Sequence, residues 1–262
     1  MKKVVYFMSS LLTLNLFVHA QTSTTWNGKT CAVVLTYDDG LNIDLTNVIP
    51  AIDSVGLKGT FYISDYFNAL NVQIPKWRSA AEEGHELGNH TIWHPCDGSL
   101  PGRTFVKADY DLSKYTIKRI DDEILGMNNI LKAIDGNTKR TFAYPCGDTK
   151  IRDSSYLDPI RDAFIAARGT TPEMLPIDKI DLYNVGCYGM NGQSAEQMID
   201  LVKKAMTTHA LLVFLFHGVG GEHSLNVSLD AHSALLHFLK QNDKEIWIAP
   251  MIDVAEFIKS RQ

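Results

Sequence analysis

Two runs constrain this chain more than any others: Ala32-Val33-Val34-Leu35 and Leu211-Leu212-Val213-Phe214-Leu215-Phe216 are apolar at every position. A strand with one wet face alternates apolar and polar residues, whereas a parallel strand covered by helices on both faces does not. Shorter runs of the same kind extend the set, giving candidate strands at residues 31–36, 59–63, 86–89, 141–144, 163–167, 182–187, 211–216 and 246–249. Amphipathic stretches between them predict helices at 45–55, 76–83, 109–134, 155–164, 195–209, 229–241 and 253–259. Ser194 with Gln197 three residues on makes a capping box, and Gly56, Gly84 and Gly136 follow predicted helix ends. Strand–helix alternation over 262 residues predicts an α/β fold, a barrel or an open doubly wound sheet. In either, the residues just past the strand C-termini line the ligand site.

The strong polar candidates fall at those ends. They are Thr36-Tyr37-Asp38-Asp39-Gly40, His90-Thr91-Ile92-Trp93-His94, Tyr144-Pro145-Cys146-Gly147 and Phe216-His217-Gly218. A doubled Asp alone reads as a loop cap, and two His four apart arise by chance. Their shared position behind apolar strands gives them weight. Two neutral imidazoles and one carboxylate make a three-ligand set that leaves room for water, as in catalytic zinc sites. Such an ion brings the pKa of water to roughly 7 and polarises a carbonyl, and the second carboxylate is then placed to take the water's proton. Zn²⁺ suits this donor set, with Co²⁺ or Ni²⁺ able to substitute. His217, after the most apolar strand, suits a general acid.

Taken together, these segments resemble the polysaccharide deacetylase family, carbohydrate esterase family 4, from about Cys31 to Phe257. The first motif of that family is matched at residues 36–40, the second at 90–94 and the late Leu-x-His motif at Leu215-Phe216-His217. The resemblance implies a distorted (β/α) barrel of about seven parallel strands. It implies Asp38 as the base, Asp39, His90 and His94 as metal ligands, and His217 as the acid. Tyr144, Pro145 and Cys146 then face substrate, the Cys146 amide donating to the oxyanion. The implied reaction is removal of acetyl groups, as O-acetyl esters or N-acetyl amides, from a polysaccharide or oligosaccharide. Two positions depart from the pattern. Ala143 stands where the third motif usually has an arginine, and Arg168 at the next strand end is the candidate to reach Asp38 instead. The fourth, Asp-rich motif has no clean match, Asp181 being the nearest. These departures keep an alternative in view, a catalytically impaired barrel that binds carbohydrate; hydrolysis of a small amide on the same scaffold is a second.

Lys2 and Lys3 before the apolar run Val4 to Val18, ending Val18-His19-Ala20, predict a secretory signal peptide over 1–20 and a catalytic domain over 21–262. A secreted or periplasmic location follows as an expectation, with no membrane insertion after cleavage. Thirty acidic residues stand against 23 basic ones once Lys2 and Lys3 are set aside, which argues against nucleic acid as a partner; the partner that the family resemblance implies is an acetylated glycan. Cys31, Cys96, Cys146 and Cys187 include no C-x-x-C pair, and an oxidising compartment permits disulfides, a Cys96–Cys146 link among them. Trp77, Trp93, Tyr144 and Tyr188 are candidates to stack on sugar rings.

Overall fold

The computed structural model describes Met1, residues 25–71 and residues 73–262; apart from Met1, the expected signal peptide lies outside the described residues. Eight strands form one parallel sheet: β1 (Cys31–Asp39), β2 (Thr60–Ile63), β3 (Glu86–Asn89), β4 (Thr141–Ala143), β5 (Ala166–Arg168), β6 (Tyr188–Gly189), β7 (Leu211–Phe216) and β8 (Ile246–Ile248). Their order is β5-β4-β3-β2-β1-β7-β6, with β8 also on β1. β1 has room for it because its N-terminal half pairs with β8, Cys31 to Ile246, and its C-terminal half with β2, Thr36 to Thr60. The sheet curls into a distorted (β/α) barrel. Helices α1 (Ile49–Ser54), α2 (Ile74–Glu82), α3 (Ile117–Asp135), α4 (Ala195–Thr208), α5 (Leu229–Gln241) and α6 (Met251–Lys259) cover it.

Alternation along the strands decides which side chains reach the barrel interior. Tyr37 stacks between Phe61 at 5.1 Å and Phe216 at 5.3 Å and meets His232 of α5 edge-on, so this row faces the helices. The neighbours of that row, Asp38 and Tyr62, therefore turn inward, where Arg168 of β5 meets both. Glu86 is polar in a buried strand because four donors satisfy it: Thr60 Oγ1, Thr141 Oγ1, Thr141 N and Ile252 N. One carboxyl thereby ties β2, β3 and β4 to the first turn of α6.

Three predicted elements differ. The helix expected at 155–164 is a two-residue strand pairing (Lys150–Ile151 with Ser154–Ser155) followed by a 3₁₀ turn, Asp158–Ala163. Its apolar residues Tyr156, Leu157 and Phe164 are buried, so the spacing marks anchoring points rather than a helical stripe. The strand expected at 182–187 is broken by an Asx turn, in which Asp181 accepts from Tyr183 N at 2.9 Å. Only Val185 bridges Arg168, and regular pairing resumes at β6. The helix expected from 109 starts instead at Ile117, because Thr116 accepts from Arg119 N and caps it there.

Candidate active site

β1 runs straight into the site, and Asp39 at its end adopts φ +79°, which aims two consecutive carboxylates into one space. The loop after β3 is held by its own polar residues. Asn89 accepts from Thr91 N and donates to Ile124 O and Asn128 Oδ1, while Glu123 of α3 accepts from Trp93 N. Thr91 (φ +64°), His94 (φ +51°) and Cys146 (φ +56°) also lie in the left-handed region. Such conformations cost of order 1–3 kcal/mol each and persist where surrounding bonds over-determine them, characteristically at functional sites.

His94 Nε2 stands 3.5 Å and His90 Nε2 3.7 Å from Asp39 Oδ1. His90 Nδ1 donates to Ala143 O at 2.8 Å, which fixes the proton on that nitrogen and leaves the Nε2 lone pair facing Asp39. Asp39 Oδ1 is buried and has no hydrogen-bond partner among the described residues. Burial, then the charge of Asp38, push the Asp39 carboxyl well above the usual range, although Arg168 pulls the other way. Burial leads in keeping both imidazoles neutral. An orphaned carboxylate oxygen facing two imidazole nitrogens is the environment a divalent cation satisfies, so the donor set fits an ion held by Asp39, His90 and His94.

Asp38 behaves oppositely. Burial works against its charge, yet Arg168, aided by His90 and His217, holds its carboxyl below the usual range. One Arg168 amino group contacts both Asp38 oxygens at 2.5 Å, and the guanidinium sits 5.1 Å above the Tyr62 ring. Arg168 is fully buried, and its contact with Asp38 makes it the basic partner that Ala143 does not supply. His217 lines the same cavity, and its buried Nδ1 has no partner among the described residues. Burial leads in pushing this imidazole down to about 4.

The cavity measures about 760 Å³. Its wall near Tyr144 is stapled by a Cys96–Cys146 disulfide and by Arg103, whose guanidinium bridges both oxygens of Asp148 at 3.1 Å. Tyr144 and Cys146 line it, whereas Pro145 is buried behind. Cys31 and Cys187 are free and buried. Trp77 does not reach the groove: it is fully buried against Phe61, its Nε1 donating to Ala69 O. Tyr188, on β6, is half-buried and does not line the cavity; Asp181 is a surface turn residue and does not line it either. Trp93 is exposed and stacks on Tyr110, beside the opening. Sequence reasoning missed Tyr66, Phe67, Phe105, Tyr110 and Leu225, which make the rim apolar, and His223, which enters from the loop after β7. Only His223 had a signal, a titratable residue just beyond Gly220-Gly221 in the loop that carries His217.

The family model described as polysaccharide deacetylase matches residues 27–159, just over half of the chain. Over 258 residues the chain is 26% identical to a gellan lyase of a Bacillus species, covering 89% of this chain and 10% of that protein. It is 28% identical over 120 residues to the peptidoglycan-N-acetylmuramic acid deacetylase PdaA of Bacillus subtilis (strain 168), covering 45% and 39%. The chain thus spans from a tenth to about two fifths of the length of these curated relatives. Among solved structures, PdaA, a family 4 carbohydrate esterase, superposes with a TM-score of 0.55 at 18% identity, covering 87% of this chain and 81% of that one. A Mycobacterium smegmatis protein provisionally named a polysaccharide deacetylase superposes at 0.61 with 15% identity, covering 89% and 92%. These two show the shared barrel, and with the match over residues 27–159 the chain belongs to the polysaccharide deacetylase family.

Proposed function

We propose that this protein is a secreted, metal-dependent hydrolase that removes acetyl groups from a glycan, with 21–262 as its catalytic domain. The observation that carries the reading is the meeting of Asp39, His90 and His94 around an unsatisfied carboxylate oxygen, with Asp38 paired to Arg168 beside them. When bound, the ion supplies Lewis acidity, polarising the acetyl carbonyl and acidifying water, and Zn²⁺ suits the donor set best, with Co²⁺ or Ni²⁺ as substitutes.

The chain's own groups supply the rest. Asp38, kept ionised by Arg168, takes the proton from the attacking water. The Cys146 amide, on the stapled wall, donates to the oxyanion. His217 delivers a proton to the departing oxygen or nitrogen; the negative charge that builds up beside it offsets the burial that keeps it neutral in the free protein. Its Nδ1 has no acidic partner among the described residues to strengthen it as an acid. Expulsion of an amine depends on protonation more than expulsion of an alkoxide does, which favours O-acetyl esters over N-acetyl amides. The apolar rim and the exposed Trp93–Tyr110 stack suit the CH faces of sugar rings.

The competing reading, a barrel that binds carbohydrate without turning it over, has the Ala143 position in its favour. Against it stands the Arg168–Asp38 pair, which a binding module has no use for. Acetate release from a panel of acetylated xylan, chitooligosaccharides and peptidoglycan fragments separates these cases. Release from xylan at the highest kcat/KM is expected. Binding without release from any of them sinks the enzymatic reading.

A further inference from the structure

His223 belongs to none of the motifs, yet the loop around it is held on both sides by hydrogen bonds. The backbone that carries it is fixed at both ends. Gly218 N donates to Leu225 O at 3.0 Å, Gly220 N to Val227 O at 2.8 Å and Gly221 N to Asn226 Oδ1 at 2.9 Å. Its neighbour Glu222, at φ +64°, clamps the loop to the segment just after Asp39, accepting from Ile43 N at 2.6 Å and from Asn42 Nδ2 at 2.9 Å. The imidazole lies flat on His217, centroids 4.7 Å apart and planes at 13°, with the edge of Phe67 beside it.

The hydrogen bonds of this ring determine what it offers the site. Leu225 N donates to His223 Nδ1 at 3.0 Å, so Nδ1 is the acceptor and the proton of the neutral ring sits on Nε2. That Nε2 faces Asp39 Oδ2 at 3.9 Å, on the carboxylate oxygen opposite the one that faces His90 and His94. A protonated nitrogen cannot ligate a cation. It can hold a carboxylate.

We propose that His223 is a positioning residue for the ion site: its Nε2–H holds Asp39 Oδ2 so that Oδ1 stays turned toward the ion between His90 and His94. This rests on the metal reading above. About 1 Å of closure brings the pair to hydrogen-bond length. Outer partners of this kind typically contribute 10–100-fold in metal affinity. The same contact explains why the loop is clamped at Glu222: the donor and the end of β1 move as one unit.

The test is zinc affinity of the chelator-stripped protein, measured by competition with a chromophoric chelator, for the wild type, His223→Ala, His223→Gln and His223→Asn. The expected result is a 10–100-fold weaker Kd for His223→Ala. His223→Gln, whose amide reaches the place of Nε2, should recover most of the loss, and His223→Asn, whose amide falls short near Nδ1, should not. A residue with only a packing role would not separate Gln from Asn. If the wild type binds zinc and His223→Ala binds it equally well, the positioning role is wrong and the ion site stands. If the wild type binds no zinc, both fall. Zinc-edge absorption of the loaded protein should count two imidazoles in the wild type and in His223→Ala alike; three in the wild type falling to two in His223→Ala would make His223 a ligand and overturn the tautomer argument.

Discussion

Replacing Arg168 with Met keeps the volume and removes the guanidinium that touches both oxygens of Asp38. Both side chains are buried, and losing one partner of a buried pair costs about 3–5 kcal/mol, because the remaining charge is left without water or counter-ion. Burial then acts on Asp38 with only His90 and His217 opposing it, so the carboxyl favours its protonated form. A loss of about 3 kcal/mol from the ionised form is roughly a hundredfold in its population. The kcat/KM of Arg168→Met at pH 6 should therefore fall by about that factor and recover as pH rises, the acid limb moving upward. Stability follows the same linkage. In the wild type the depressed Asp38 stabilises the fold above the unfolded carboxylate value, and this is lost as pH falls through the folded value. In Arg168→Met that acid-side loss should disappear. Arg168→Lys, a point charge without the fork, should lie between. The assay is a pH profile of acetate release with circular dichroism to confirm folding. A folded Arg168→Met with an unmoved acid limb refutes the reasoning.

Two further outcomes follow from the same geometry. Asp39 has a raised folded pKa, so in the metal-free protein it lowers stability increasingly as pH rises above about 4; Asp39→Asn, which tolerates positive φ, should raise the metal-free melting temperature at pH 7 by several degrees and have little effect near pH 4, checked by calorimetry in chelator. The Cys96–Cys146 disulfide closes a loop of 50 residues' separation, worth about 4 kcal/mol in the chain-entropy account; Cys96→Ser with Cys146→Ser should lower the melting temperature and, by loosening the wall that carries the Cys146 amide, lower kcat more than it raises KM.

The parts of the site that were legible in the sequence are those where an apolar run stops at a polar cluster. Asp38-Asp39 ends a buried strand and His90, His94 and His217 follow others, and a parallel barrel brings such ends to one rim. Arg168 was readable for the same reason, as the residue ending β5. What composition could not reveal depends on partners distant in the chain. Trp77 looks like a sugar platform until α2 packs it on Phe61. Residues 155–164 have helical spacing, but their apolar members anchor separate turns. Residues 182–187 carry strand-forming side chains, but Asp181 caps its own turn there before pairing can begin. His223 showed in the sequence only as a titratable residue in the loop that carries His217; its role lies in a tautomer, set by one backbone amide two residues on.

Zinc content after dialysis, measured by inductively coupled plasma mass spectrometry for the wild type and for Asp39→Ala, His90→Ala and His94→Ala, decides whether these three side chains hold an ion. The expected result is one ion per wild-type chain and a large loss in each variant, with acetate release tracking the ion. A wild type that retains full acetate release with no metal, or a His90→Ala that keeps its full complement, would contradict it.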